Sequence, residues 1–95
     1  MSIRLDDKEQ EAIKSAILEY DPEANIYLFG SRTDPNKRGG DIDILIISKI
    51  LTKSDKIPIL CKIFETIEEQ KIDFVFAKDT LDPFVRLALK TGIRL

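Results

Sequence analysis

Two aspartates stand two residues apart at the head of an isoleucine-rich stretch, Asp41-Ile42-Asp43-Ile44-Leu45-Ile46-Ile47. A third, Asp73, opens a later apolar stretch, Ile72-Asp73-Phe74-Val75-Phe76-Ala77. In an extended strand, residues two apart share a face, so Asp41 and Asp43 point the same way. Aspartate is disfavoured in strands. Two carboxylates about 4 Å apart repel by roughly 4 kcal/mol at an intermediate dielectric, and Asp73 would add to that. A divalent cation reverses the sign. Hard cations such as Mg2+ favour carboxylate oxygens, and two of them can clamp the attacking and leaving oxygens of a phosphoryl displacement. Taken singly, Asp41-Ile42-Asp43 reads more simply as the solvated start of a strand, and Asp73 as a strand-start residue facing water.

Gly30-Ser31 supplies a second half. A glycine that ends an apolar strand lets backbone approach a ligand closely. The amides of the following turn, with the Ser31 hydroxyl, suit phosphate oxygens. In isolation the pair is a simple strand-ending turn. Arg32 could neutralise phosphate charge, and for it the two readings weigh evenly. Lys37 and Arg38 read as solvated loop cations.

Other chemistries are excluded by composition. The chain has 95 residues and no histidine, so triads built on histidine and histidine metal sites are ruled out. Cys61 is the single cysteine; no intrachain disulfide is possible, which suits a reducing cytoplasm. The net charge is -2, without the basic excess of a dedicated nucleic-acid binder, so a nucleic-acid substrate is disfavoured. Met1 to Asp7 carries no signal core, and no apolar run approaches a membrane span. The length predicts one domain over 1–95 with a modest core.

The elements that must position these residues follow from periodicity. Asp7 to Glu19 reads as a helix, with Ile13, Ala16, Ile17 and Tyr20 on one stripe and Asp6 and Asp7 at its positive end. Asp21-Pro22 ends it. Asn25 to Phe29 and Asp41 to Ile47 read as strands around a turn-rich loop, Ser31 to Gly40. Ser54 to Glu69 reads as a helix capped by Ser54 or Asp55, with Pro58 in its first turn and an apolar face of Ile59, Leu60, Ile63, Phe64 and Ile67. Cys61 is assigned to its packed side. Ile72 to Ala77 is a third strand. Asp82 caps a last helix with Pro83 at its first position and Gly92 beyond its end. The apolar side chains Phe84, Val85, Leu87, Ala88 and Leu89 read as a core helix, with a hint of a partner surface.

The expected fold is therefore α/β (α+β): a small mixed three-stranded sheet flanked by helices, in the order α-β-β-α-β-α. A helix between the second and third strands implies parallel neighbours. The loop between the first two allows an antiparallel pair. That puts Gly30 and Ser31, Asp41 and Asp43, and Asp73 at one edge of the sheet.

Leu28-Phe29-Gly30-Ser31-Arg32 followed by Gly39-Gly40-Asp41-Ile42-Asp43-Ile44-Leu45-Ile46 resembles the signature of the DNA polymerase β-like nucleotidyltransferase superfamily. There a Gly-Ser turn precedes a Gly-x-Asp-x-Asp strand, and a third acidic residue opens a later strand, which Lys71-Ile72-Asp73-Phe74-Val75 matches. The resemblance runs from Asn25 to Gly92. The short chain is similar to the minimal nucleotidyltransferases, a prokaryotic branch little larger than the catalytic core.

The resemblance implies the palm-like fold of polymerase β and specific roles. Asp41, Asp43 and Asp73 would be the catalytic, metal-binding carboxylates for two Mg2+ ions, with Mn2+ as the alternative. Gly30 and Ser31 would hold the β- and γ-phosphates of a nucleoside triphosphate, with Arg32 and Gly40 as further nucleotide-binding positions. An acceptor hydroxyl would attack the α-phosphorus and release pyrophosphate. Minimal nucleotidyltransferases are often antitoxins to helical HEPN-family toxins, so the resemblance implies transfer of AMP from ATP to a hydroxyl of such a partner protein. Two alternatives stay open: a binding module that neutralises its partner by contact alone, and transfer to a small molecule.

Overall fold

The computed structural model describes residues 6–30 and 42–95. Ser31, Arg32, Gly40 and Asp41, all singled out above, lie outside the described residues.

Helix α1 spans Asp7–Tyr20. Its start is a reciprocal cap. The Asp6 carboxylate accepts from the Glu9 amide at 2.7 Å, and the Glu9 carboxylate accepts from the Asp6 amide at 3.2 Å. Together they satisfy two of the amides that every helix start leaves over. Ala12, Ile13, Ala16 and Ile17 are buried, as the stripe requires. Tyr20 is an exception at 41 % exposure. It is the last residue of the helix, where no following turn packs over its outer side.

Strands β1 (Asn25–Phe29) and β2 (Ile42–Ile47) pair antiparallel, and β3 (Ile72–Ala77) pairs with β2 in parallel. The fold is α+β with a mixed sheet, as expected, but the sheet has four strands. A two-residue strand, β4 (Ile93–Arg94), pairs antiparallel with β1, giving the order β3-β2-β1-β4. Two residues are too few to show an alternation, so this strand left no periodic signal.

The second helix is also shorter than its pattern. Residues Lys53–Asp55 form a 3-10 turn, α2 occupies Lys56–Ile63, and turns follow to residue 66. Asp55 does not cap α2; its carboxylate accepts from the Thr52 amide at 2.8 Å. The apolar residues Phe64 and Ile67 still reach the core from outside the helix. Cys61 is exposed, which corrects its assignment to the packed side. It stands about 200° around the helix from both Ile59 and Ile63, and those two are fully buried.

Alternation along the strands sorts their side chains between two cores. Ile26 and Leu28, Ile42, Ile44 and Ile46, and Ile72, Phe74 and Phe76 pack with α1 and α2. Tyr27 and Phe29, Leu45 and Ile47, and Val75 and Ala77 face the other way. There they meet Val85, Ala88 and Leu89 of helix α3, Pro83–Thr91. The start of α3 follows its sequence signals: the Asp82 carboxylate accepts from the Phe84 amide at 2.7 Å, and Pro83 occupies the first turn. β2 is central and apolar on both faces, with Ile42, Ile44, Leu45 and Ile46 fully buried. Such strands are normally continuous hydrophobic runs, and Asp43 interrupts this one.

Among the described residues, no helix is long and apolar enough to cross a membrane.

Candidate active site

Strand pairing lays one row across the sheet: Phe29 opposite Asp43, and Asp43 opposite Asp73. Neighbouring strands run about 4.8 Å apart, and register partners project to the same face. Asp43 and Asp73, thirty positions apart in the chain, thus stand side by side on the α3 face of the sheet. The row lies at the edge where β1 ends and β2 and β3 begin. That edge follows from one antiparallel and one parallel pairing. Both carboxylates are on half-buried residues.

Like charges directly opposite each other on paired strands are destabilising. The cost has a local origin in the sequence, because each aspartate sits one residue into a strand whose other members are apolar. Among the described residues no hydrogen bond or ion pair engages the Asp73 carboxylate.

Gly30 closes the third side. It follows β1 directly, with φ at +81°, a conformation that side chains rarely adopt. A β-carbon there would meet Asp43 Oδ2 and come within 3.2 Å of Asp43 Cγ. The glycine therefore turns the chain and clears the space that the Asp43 carboxylate fills. The sequence points Gly30 toward phosphate only; its steric tie to Asp43 carries no sequence signal, because it depends on the pairing of Phe29 with Asp43.

The donor set suits a hard divalent cation: adjacent carboxylate oxygens, with no imidazole in the chain and Cys61 on the helix layer behind the sheet. Among the described residues no three ligating side chains converge. Asp41, the remaining carboxylate of the sequence motif, lies outside the described residues.

Phe84 borders the same row. Its ring meets that of Phe29 edge to face, with centroids 5.8 Å apart and planes at 82°. It is 49 % exposed. The apolar pattern of the last helix puts Phe84 among its core residues; the sheet in fact takes Val85 and Ala88 and leaves Phe84 and Leu87 outward.

The opposite edge of the sheet holds a cleft of about 380 Å³, lined in part by Asp21, Ser48, Lys49 and Lys78. Its buried polar groups satisfy each other. The Ser48 hydroxyl donates to Asp21 Oδ2 at 2.5 Å and accepts from the amides of Ile50 and Leu51 at 3.1 and 3.0 Å. Asp21 Oδ1 accepts from the Glu23 amide at 3.0 Å. This is a joint between the end of α1 and the end of β2, and its polar atoms are spent on the fold. In the sequence Asp21 signals only a helix stop.

No curated protein matches the chain significantly. A family model described as polymerase beta, nucleotidyltransferase matches residues 11–95, which takes in most of α1, all of α2, the whole sheet and α3. That span includes the Asp43–Asp73 row and the Gly30 turn, and the chain belongs to the polymerase β-type nucleotidyltransferase family.

Proposed function

We propose that this nucleotidyltransferase moves AMP from ATP to a hydroxyl group of a partner protein. The observation that supports this most is the pairing of Asp43 with Asp73 on one face, beside the Gly30 turn. Asp43 and Asp73, together with Asp41, would hold Mg2+. The bound cation would neutralise triphosphate charge and favour ionisation of the acceptor hydroxyl. The chain's own contribution is positional. β2 and β3 fix the two carboxylates in register. Gly30 keeps the Asp43 carboxylate clear, and with Ser31, Arg32 and Gly40 it would bind the phosphates. Transfer forms a bond from the acceptor oxygen to the α-phosphorus and breaks the bond to the β-phosphate bridge, releasing pyrophosphate.

A protein acceptor is favoured over a small molecule by the exposed apolar side chains of α3 and the segment before it. Leu81 and Leu87 are 78 % and 59 % exposed, and Phe84, which meets Phe29 of the row, is 49 % exposed. By resemblance to the minimal nucleotidyltransferases, the acceptor would be a HEPN-family toxin and the chain its antitoxin, acting in the cytoplasm. The same surface fits the second reading, in which contact alone neutralises the partner.

Incubation with labelled ATP, Mg2+ and the candidate partner separates the two. Label on the partner, lost with Asp43→Asn or Asp73→Asn, supports transfer. A complex that forms without label, and survives both substitutions, overturns it in favour of binding.

A further inference from the structure

We infer that Phe84 is the stacking platform for the base of the donor nucleotide, because its half-exposed ring continues the row Asp73–Asp43–Phe29 on the same face of the sheet. The inference rests on the nucleotidyl-transfer reading of that row.

Four side chains follow one another across the surface. Asp73 and Asp43 are register partners, Asp43 and Phe29 are register partners, and Phe29 touches Phe84 ring to ring. Two strand spacings of about 4.8 Å each and one ring contact of 5.8 Å separate Asp73, at the carboxylate end of this line, from Phe84 at its aromatic end. That span is on the scale of one nucleotide.

The ring is held before any ligand arrives. Its inner contact is the edge-to-face pair with Phe29. Its backbone is anchored by the Asp82 cap at 2.7 Å and by Pro83 before it. A pre-positioned ring loses little freedom when a base stacks on it. Phenylalanine offers a base no hydrogen bond, so it recognises the π-face and its area. A purine therefore gains more from it than a pyrimidine.

The chain contains no tryptophan, so Phe84→Trp creates a single reporter at the site. With Mg2+ present, ATP is expected to change its fluorescence, and inorganic tripolyphosphate is not. Phe84→Ala is expected to weaken ATP binding about tenfold, the scale of one base–aromatic stack, and to leave tripolyphosphate binding unchanged. Phe84→Tyr keeps the ring and restores ATP affinity. Circular dichroism and melting of each variant separate these effects from misfolding. Equal affinity of the unaltered chain for ATP and tripolyphosphate overturns the platform, as does a tryptophan blind to ATP, while leaving the triphosphate site standing. Binding of neither overturns both readings.

Discussion

The Asp43 carboxylate fills the space that a side chain at Gly30 would need. A β-carbon on the glycine would stand 3.2 Å from Asp43 Cγ and closer still to Oδ2. Gly30→Ala therefore carries two penalties: about 1–2 kcal/mol for a side chain at positive φ, and displacement of the carboxylate. Its effect on transfer should exceed its effect on folding. The check is the labelled-ATP rate beside a urea unfolding curve. A variant destabilised by about 1 kcal/mol with undiminished transfer would show that the position of Asp43 is not critical.

Asp43 and Asp73 repel in the absence of a cation. Asp73→Asn should leave the melting temperature without Mg2+ unchanged or raised, and Asp43→Asn joins it for the Mg2+ response. Addition of Mg2+ should stabilise the original chain, by about 2.7 kcal/mol at a hundred times the dissociation constant, and each variant much less. Differential scanning fluorimetry across a MgCl2 series reads this directly. Equal Mg2+ responses in all three proteins would remove these carboxylates from the metal site.

Asp21→Ala leaves the buried Ser48 hydroxyl without its acceptor, and the Glu23 amide loses one as well. The expected loss is about 1–3 kcal/mol of stability. Urea midpoints should fall while the Mg2+ response of the remaining folded protein persists, because the joint lies at the edge of the sheet away from the carboxylate row.

Gly92→Ala should loosen β4. A β-carbon at residue 92 would lie 2.6 Å from the Ala88 carbonyl oxygen and 2.8 Å from that of Leu28. Both are backbone atoms, so relief requires the chain to shift. A loss of about 1–3 kcal/mol is expected, with faster hydrogen exchange at the Leu95 amide, which donates to the Ile26 carbonyl at 2.9 Å.

Exposure of Cys61 has a simple readout. A thiol reagent should modify the native protein at a rate close to that of the unfolded chain. Protection by several orders of magnitude would return Cys61 to the core.

Much of this architecture was written locally. Asp6 and Asp82 announced two helix starts, Pro83 and Gly92 bracketed α3, and short apolar runs between turn residues marked β1, β2 and β3. The same rules predicted which strands run parallel, and so placed Gly30, Asp43 and Asp73 at a common edge. These signals are legible because capping, turn chemistry and periodicity act between residues a few positions apart.

Only the tertiary structure decided matters of register and packing. It set Asp43 opposite Asp73 and no other residue of β3, tied Gly30 to Asp43, joined Asp21 to Ser48, turned Phe84 outward and Cys61 to solvent, and added β4. A one-residue slip of β3 would move Asp73 to the opposite face. What prevents the slip is the burial of Ile72, Phe74 and Phe76 against α1 and α2, a contact between segments far apart in the chain that no local pattern encodes.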